Sequence, residues 1–283
     1  MSKLSLSDRG VVVVGAGGGG IGTAITRLVA SEGAFVTAVD RDDAALDQAM
    51  AAIEAVGGRG QRCRVDAASA DGAREVMALA ERGGAPLFGL VNVVGGMAAG
   101  HWASLLDYTE ENLDSLLRSN LKVAFLTSQA FARVLTTSGR GGSLVQIATI
   151  SALQGMPFGA GYATAKAGLL ALARTMALEW GPRGIRVNAV APGTIQVPRN
   201  AGSGETAEDR AAIPMGRRGR PEDIAGAVLF LLSDLAAWVS GQLIAVDGGA
   251  SIRPGYLDET GLPIFVRDAA LRARLLSKEE RGG

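Results

Sequence analysis

Residues 11–40 read VVVVGAGGGGIGTAITRLVASEGAFVTAVD. Four valines lead into five glycines and one alanine before Ile21, and an apolar-periodic run follows. Glycine costs about 0.5–1 kcal/mol relative to alanine inside a regular element, so a cluster this dense needs a use. A strand, a glycine turn and a helix, in that order, let bare backbone bend sharply and approach a phosphate closely. The helix N-terminus then supplies free N–H groups and partial positive charge. Asp40 closes the next strand-like run, where a carboxylate can accept hydrogen bonds from an adenosine ribose and repels a 2′-phosphate. The stretch therefore points to NAD, with NADP as the alternative because Arg41 stands beside Asp40. The competing reading is a glycine-rich turn that holds no ligand.

The rest of the chain continues the pattern. Short apolar runs at 11–15, 35–40, 61–66, 88–94, 143–149, 185–190 and 243–246 read as strands. Most are continuously apolar, as expected of parallel strands covered on both faces. Helical spacing occupies 21–32, 42–56, 69–82, 110–135, 162–180 and 221–232, the last opened by a proline-led, acidic first turn. This alternation predicts an α/β fold: a single doubly wound, Rossmann-type parallel sheet of about seven strands flanked by helices over residues 1–250. Residues 194–216, rich in Gly, Pro and charge, read as a substrate loop or lid with room for a short helix. Residues 251–283 form a C-terminal extension whose end has the spacing of a short amphipathic helix, one that packs on a neighbouring subunit or frays.

Composition narrows the function. The 283 residues carry 28 Lys and Arg against 28 Asp and Glu, so no charge imbalance draws the chain to nucleic acid or an anionic membrane. No apolar run approaches the roughly 20 residues of a membrane span, and the first ten residues lack a signal-peptide layout. A soluble, cytoplasmic protein is expected. A single cysteine, Cys63, and a single histidine, His101, argue against an internal disulfide and a metal site.

Tyr162 and Lys166, in GYATAKAG, lie four apart and so share a helix face. They follow IATIS and precede APG and VDGG, while LVNVVGG and SNL lie upstream. With the glycine turn and Asp66, these motifs stand in the order of the short-chain dehydrogenase/reductase family, which the chain resembles from about Leu4 to Ser251. That resemblance implies reversible hydride transfer between a nicotinamide and a CH–OH or carbonyl carbon. Its catalytic residues would be Asn120, Thr149, Tyr162 and Lys166. Tyr162 is the implied acid/base, with Lys166 lowering its pKa and reaching the nicotinamide ribose, and Asn120 holding a relay water. Thr149 stands where the family usually has serine, and Ser151, pointing the same way if the segment is extended, is the alternative. The implied cofactor contacts are Gly15, Gly20, Ile21, Gly22, Asp40, Asp66, Ala67, Asn92, Gly95, Tyr162, Lys166, Pro192, Gly193 and Ile195.

Departures from the family pattern include Val14 for a threonine, one extra glycine in the turn, Val93 for an asparagine and Val197 for a threonine. Met97, Ser151, Gln154, Met156 and Phe158 are expected to border the substrate. His101 and Trp102 stand at the same border, where they read as a loop histidine and a packing tryptophan, with substrate contact as the alternative. The basic run at 216–220 reads as structural. The lining is mostly apolar, which predicts a moderately apolar secondary alcohol or ketone. Two rivals stay open: an NADPH-dependent 3-oxoacyl-thioester reductase, which Asp40 disfavours, and a weakly catalytic nucleotide-binding scaffold or sensor. The resemblance also implies a homotetramer, or at least a homodimer, built through the helices at 110–135 and 162–180.

Overall fold

The computed structural model describes residues 3–198 and 205–279. Residues 199–204 of the expected loop, and the last four of the extension, lie outside the described residues. Seven strands form one all-parallel sheet: β1 (Gly10–Val14), β2 (Phe35–Asp40), β3 (Arg59–Arg64), β4 (Leu87–Asn92), β5 (Gly142–Ile147), β6 (Ile185–Pro192) and β7 (Leu243–Val246). Their order is β3-β2-β1-β4-β5-β6-β7. The winding reverses between β1 and β4, and a crevice opens at the carboxyl ends of those two strands.

The valines of β1 show why the strands are continuously apolar. Val11 and Val13 enter the core beneath α1 (Ile21–Ser31) and α8 (Pro221–Leu232), while Val12 and Val14 enter the core beneath α3 (Ala70–Glu81) and α5 (Val123–Thr137). With a hydrophobic layer on each side, the polar alternation of a half-exposed strand disappears. α2 (Asp43–Glu54) joins the first layer and α6 (Ala160–Trp180) the second. The edge strand β3 is the exception: its RGQRCR is mostly polar, and Arg62 pairs with Asp43 and Asp47 of α2. Charge on an edge strand also discourages pairing with another chain.

Two expectations change. The third strand lies two residues earlier than its apolar residues suggested, at Arg59–Arg64, so Asp66 falls in the turn beyond it. The single helix expected at 110–135 is α4 (Glu110–Leu116), a π turn (Leu117–Lys122) and α5. The expected loop contains α7 (Ala207–Ala212), opened by a reciprocal Thr206–Asp209 cap. The basic run before α8 anchors it: Arg218 pairs with Asp209 and Arg217 with Asp223. In the extension, Leu257 and Pro263 bridge antiparallel, and Arg272 of α9 (Ala269–Glu279) pairs with Asp258.

The glycine turn is tied to the crevice. The N–H groups of Gly15 and Ala16 donate to Val39 O, while those of Val93 and Val94 donate to Val14 O. A Cβ on Gly22 would run into the carbonyl oxygen of Gly15, whereas one on Gly18 would meet nothing within 4 Å despite its φ of +83°. Gly22→Ala is therefore expected to cost ~1–3 kcal/mol through forced backbone movement, and Gly18→Ala only the ~1–2 kcal/mol of a left-handed alanine. Urea unfolding of both variants separates the two; a greater loss in Gly18→Ala would contradict the close approach.

Candidate active site

The site is assembled around Lys166. Helix α6 carries it one turn after Tyr162, and its stem is buried so that only 2% of the residue is exposed. The Nζ donates to Ile147 O at the end of β5 (2.9 Å) and lies 5.9 Å from the centre of the Tyr162 ring. An ammonium has three N–H groups, so two remain for a ligand. Burial pushes the Lys166 pKa down from 10.5 to about 8. A Cβ on Gly95 would sit 2.8 Å from that Nζ and collide with Asn120 Oδ1. Gly95, Asn120 and Lys166 thus meet at one point, and only a residue without a side chain fits there.

Asn120 is fully buried in the π turn. Its Oδ1 accepts from Gly96 N (2.8 Å), and the two hydrogens of its Nδ2 are shared among Gly96 O, Leu116 O and Ser119 Oγ (3.1 Å each). It therefore holds Gly96 by both its N–H and its C=O while satisfying a helix carbonyl. Tyr162 is half-buried at the start of α6. Thr149 follows β5 by two residues and accepts the N–H of Ser151 on its Oγ1 (3.2 Å), which leaves its own O–H proton to donate. Ser151 does not sit in an extended segment: Ile150–Ala152 is a 3-10 turn, so the alternation that aligned it with Thr149 is lost.

On the adenosine side, α1 begins at Gly20 with no side-chain cap, so its first N–H groups have no capping partner. Thr23, which the sequence did not mark, braces the widened turn by accepting from Gly19 N and donating to Ala16 O. Val197 and Pro198 lie against Gly20 and Gly19. At the tip of β2, Asp40 Oδ1 accepts from Arg41 N and Asp42 N, which fixes the carboxylate and leaves Oδ2 for a ribose hydroxyl. Asp66 is more occupied: Ala68 N–H and then the Arg118 guanidinium hold its carboxyl below the usual range. Ala67 beside it is buried.

The bare cradle, the uncapped helix and the two spare ammonium protons fit a dinucleotide. Asn92 differs from expectation. Its side chain is buried, accepting from Thr127 Oγ1 (2.8 Å) and donating to Ser128 Oγ (3.2 Å). It braces β4 against α5, so it can offer the crevice only its backbone. Beyond β6, Gly193 packs on Asp247, where a Cβ would lie 2.8 Å from Asp247 Cα, and its N–H donates to Val246 O. Pro192 ends β6, and Ile195 bridges Gly219 with its side chain in the core.

Among the substrate candidates, Met97 and Met156 are half-buried, and Gln154 and Phe158 are exposed. His101 is a loop residue, its Nδ1 accepting from Ala98 N. Trp102 is not the packing residue expected: 53% of it is exposed. Among the described residues no group of three His, Cys, Asp or Glu could hold a metal, and no helix is long and apolar enough to cross a membrane.

A glycine cradle at the reversal of the sheet, with a phenol one helical turn from a buried ammonium, defines a dinucleotide-dependent oxidoreductase. Comparison with known proteins gives the same class. The family model described as enoyl-(acyl carrier protein) reductase matches residues 15–251. The chain is 38% identical to an L-rhamnose 1-dehydrogenase (NAD(P)(+)) of Azotobacter vinelandii, over 86% of this chain and 97% of that one. It is 35% identical to the 3-oxoacyl-acyl-carrier-protein reductase FabG of Thermotoga maritima, covering 88% and 100%. Among solved structures it superimposes on a putative 2-deoxy-d-gluconate 3-dehydrogenase from Agrobacterium tumefaciens with bound NADP, at a TM-score of 0.81 and 34% identity, covering 89% and 100%. The chain belongs to the short-chain dehydrogenase/reductase family, and it is an NAD(P)-dependent oxidoreductase acting on CH–OH groups.

Burial of Lys166 makes stability depend on pH. Its folded pKa, about 8, lies below the ordinary 10.5, so between those values the unfolded chain binds more protons and stability rises with pH. At pH 7 the buried charge costs on the order of 3 kcal/mol. In the cofactor-free protein, Lys166→Met is expected to be more stable than the parent at pH 7, with the gap closing between pH 8 and 10.5. Urea unfolding across that window measures it; a pH-independent gap would contradict the assignment.

Proposed function

We propose that the protein oxidises an uncharged secondary alcohol, or reduces the matching ketone, with NAD(H). The observation that carries this reading is the meeting of Gly95, Asn120 and the buried Lys166 Nζ one helical turn from Tyr162. When bound, the nicotinamide accepts or supplies the hydride of the carbinol carbon. Tyr162 takes the hydroxyl proton in oxidation and returns it in reduction. A free phenol has a pKa of about 10, and the nearby ammonium favours its phenolate. Thr149 donates its remaining O–H to the substrate oxygen and holds it for that transfer. Lys166 turns its two unused N–H groups to the ribose. Asn120 fixes the Gly95–Gly96 backbone against Lys166; its side-chain N–H groups are spent there, so a relay water would be held by its backbone.

Gly15, Gly20, Ile21 and Gly22 receive the pyrophosphate, Asp40 the adenosine ribose, Asp66 and Ala67 the adenine edge, and Pro192, Gly193 and Ile195 the nicotinamide. Asp40 favours NAD, since its carboxylate would face a 2′-phosphate. The FabG relative keeps a second reading in view, a 3-oxoacyl-thioester reductase using NADPH with Arg41 turned to the phosphate. We also infer a homotetramer or homodimer. An open groove of about 860 Å³ runs along the π turn, α5 and α6, lined by Leu117, Leu121, Phe125, Ala171 and Leu172. Phe125 is 42% exposed there, and a second copy laid against it would bury that apolar surface. We also infer a cytoplasmic location, where a free dinucleotide pool would serve the reaction.

Tyr162→Phe is expected to lower kcat/KM by ~10²–10⁴-fold with an unchanged circular dichroism spectrum, read by nicotinamide absorbance on a panel of alcohols and ketones. A variant as active as the parent would sink the mechanism. Asp40→Ser is expected to erase an NAD over NADP preference of roughly tenfold, about 1.4 kcal/mol. Equilibrium titration with both dinucleotides tests this, and tighter NADP binding by the unaltered protein would favour the thioester reading.

A further inference from the structure

The turn of α6 that carries Tyr162 depends on packing more than on capping. Its N-cap is Gly159, without a side-chain cap, and no acidic residue stands in the first turn. Polar caps and first-turn acids ordinarily steady such a turn. Gly161, the second residue of the helix, brings the backbone freedom of glycine to the position just before Tyr162. The phenol therefore needs support from a neighbouring element.

Tyr108 stands where that support is needed. It directly precedes Thr109, whose Oγ1 caps α4 by accepting from Asn112 N (3.3 Å). Its ring lies against the Gly161 backbone: a Cβ on Gly161 would sit 2.7 Å from Tyr108 Oη and 3.1 Å from both Tyr108 Cε1 and Leu116 Cδ1. A large residue at 108 and the smallest at 161 thus fit as a pair. Leu116 leads back to the site, since it is fully buried and its carbonyl oxygen accepts from Asn120 Nδ2. One contact therefore joins the support of Asn120 to the turn that carries Tyr162. The Tyr108 hydroxyl is buried with no hydrogen-bond partner among the described residues. A buried hydroxyl of that kind costs stability, so the ring acts here through its shape.

Resting on the reading of Tyr162 as the acid/base, we propose that Tyr108 is a positioning residue for the hydride transfer. Its ring, seated on Gly161, sets the height of the first turn of α6 and with it the distance of the Tyr162 phenol from Lys166 Nζ. Tyr108 acts through the Gly161 backbone. Without the ring, the turn settles towards α4 and the phenol shifts relative to the ammonium. The phenolate then loses part of its electrostatic support, so its pKa rises, and the proton transfer is misaligned.

The test has two readouts. Phenolate absorbance of each protein, minus that of its Tyr162→Phe counterpart, gives the titration of Tyr162 without any substrate. Steady-state rates with cyclohexanol and 2-butanol, and with both dinucleotides, give kcat and KM. Tyr108→Ala is expected to raise the Tyr162 pKa by about one pH unit and to lower kcat ~10–100-fold, with the dinucleotide KM within about twofold of the parent. Tyr108→Phe keeps the ring and is expected to rescue both the titration and kcat, and to melt no lower than the parent. Gly161→Ala is expected to behave like Tyr108→Ala. Adding Tyr108→Phe to it removes the nearest atom and is expected to restore part of the lost kcat, or of the melting temperature where the single variant is too unstable to assay. This pair decides the matter even if Tyr108→Ala fails to fold. A parent-like titration and kcat in Tyr108→Ala, a Tyr108→Phe as impaired as Tyr108→Ala, or a Gly161→Ala defect that Tyr108→Phe leaves untouched overturns the proposal and leaves the role of Tyr162 standing. Turnover that survives Tyr162→Phe in the parent sinks that role and this proposal with it.

Discussion

One desolvated ammonium organises the carboxyl edge of this sheet. Lys166 reaches Ile147 O at the end of β5, and its Nζ lies close enough to Gly95 to forbid a side chain there. Removing a charge from water is costly, and burial lowers its pKa to about 8. The ammonium is confined between the end of β5, Gly95 and the Tyr162 ring. The surrounding pieces follow from this constraint. Gly95 must be bare, the 95–96 backbone must be held, and the helix that carries Asn120 must widen to hold it.

The polar atoms behind the site divide into those that build the frame and those left for a ligand. Asn92, Thr127, Ser128 and Gln146 form a buried chain of hydrogen bonds that pins β4 and β5 to α5. The network joins the two strands to the helix through four side chains, although Gln146 Oε1 is buried with no hydrogen-bond partner among the described residues. By contrast, Asp40 Oδ2, the Thr149 hydroxyl proton and two protons of Lys166 face no protein partner among the described residues. These groups are spread along the carboxyl edge of the sheet, from the tip of β2 to the start of α6. The ion pair of Asp66 with Arg118 is half exposed and contributes little stability, but it ties the adenine end to the π turn.

Much of this was legible in residue order. The valine run, the glycine turn and Asp40 placed β1, α1 and β2 because both faces of a buried parallel strand are apolar and because glycine density has few other uses. Helical spacing put Tyr162 and Lys166 on one face, but only the order of the surrounding motifs gave the pair a meaning. β3 was misplaced by two residues because RGQRCR, an edge strand, lacks the apolar signal of the others. The π turn at Leu117–Lys122 was invisible, since a widened turn keeps the same apolar spacing on either side. Asn92 was assigned to the crevice from its motif, yet the sheet turns its amide to α5, a choice made by tertiary contacts. Trp102 read by its type as a packing residue or a substrate contact, and only the loop geometry shows it half in water. Thr23 and Arg118 carry no motif; their roles depend on neighbours distant in sequence or on the shape of one turn.

The widened turn between α4 and α5 has a consequence for how this scaffold can change. A π turn takes up one residue more than an α turn while leaving the flanking helix in step. Phe131 and Leu135 therefore keep their seats in the core whether or not the surplus residue is present. Losing one amino acid from Leu117–Lys122 would retract Asn120 from the crevice and leave the helical frame standing. The seat of Asn120 and the packing of the helical frame are thus set by separate features of one helix.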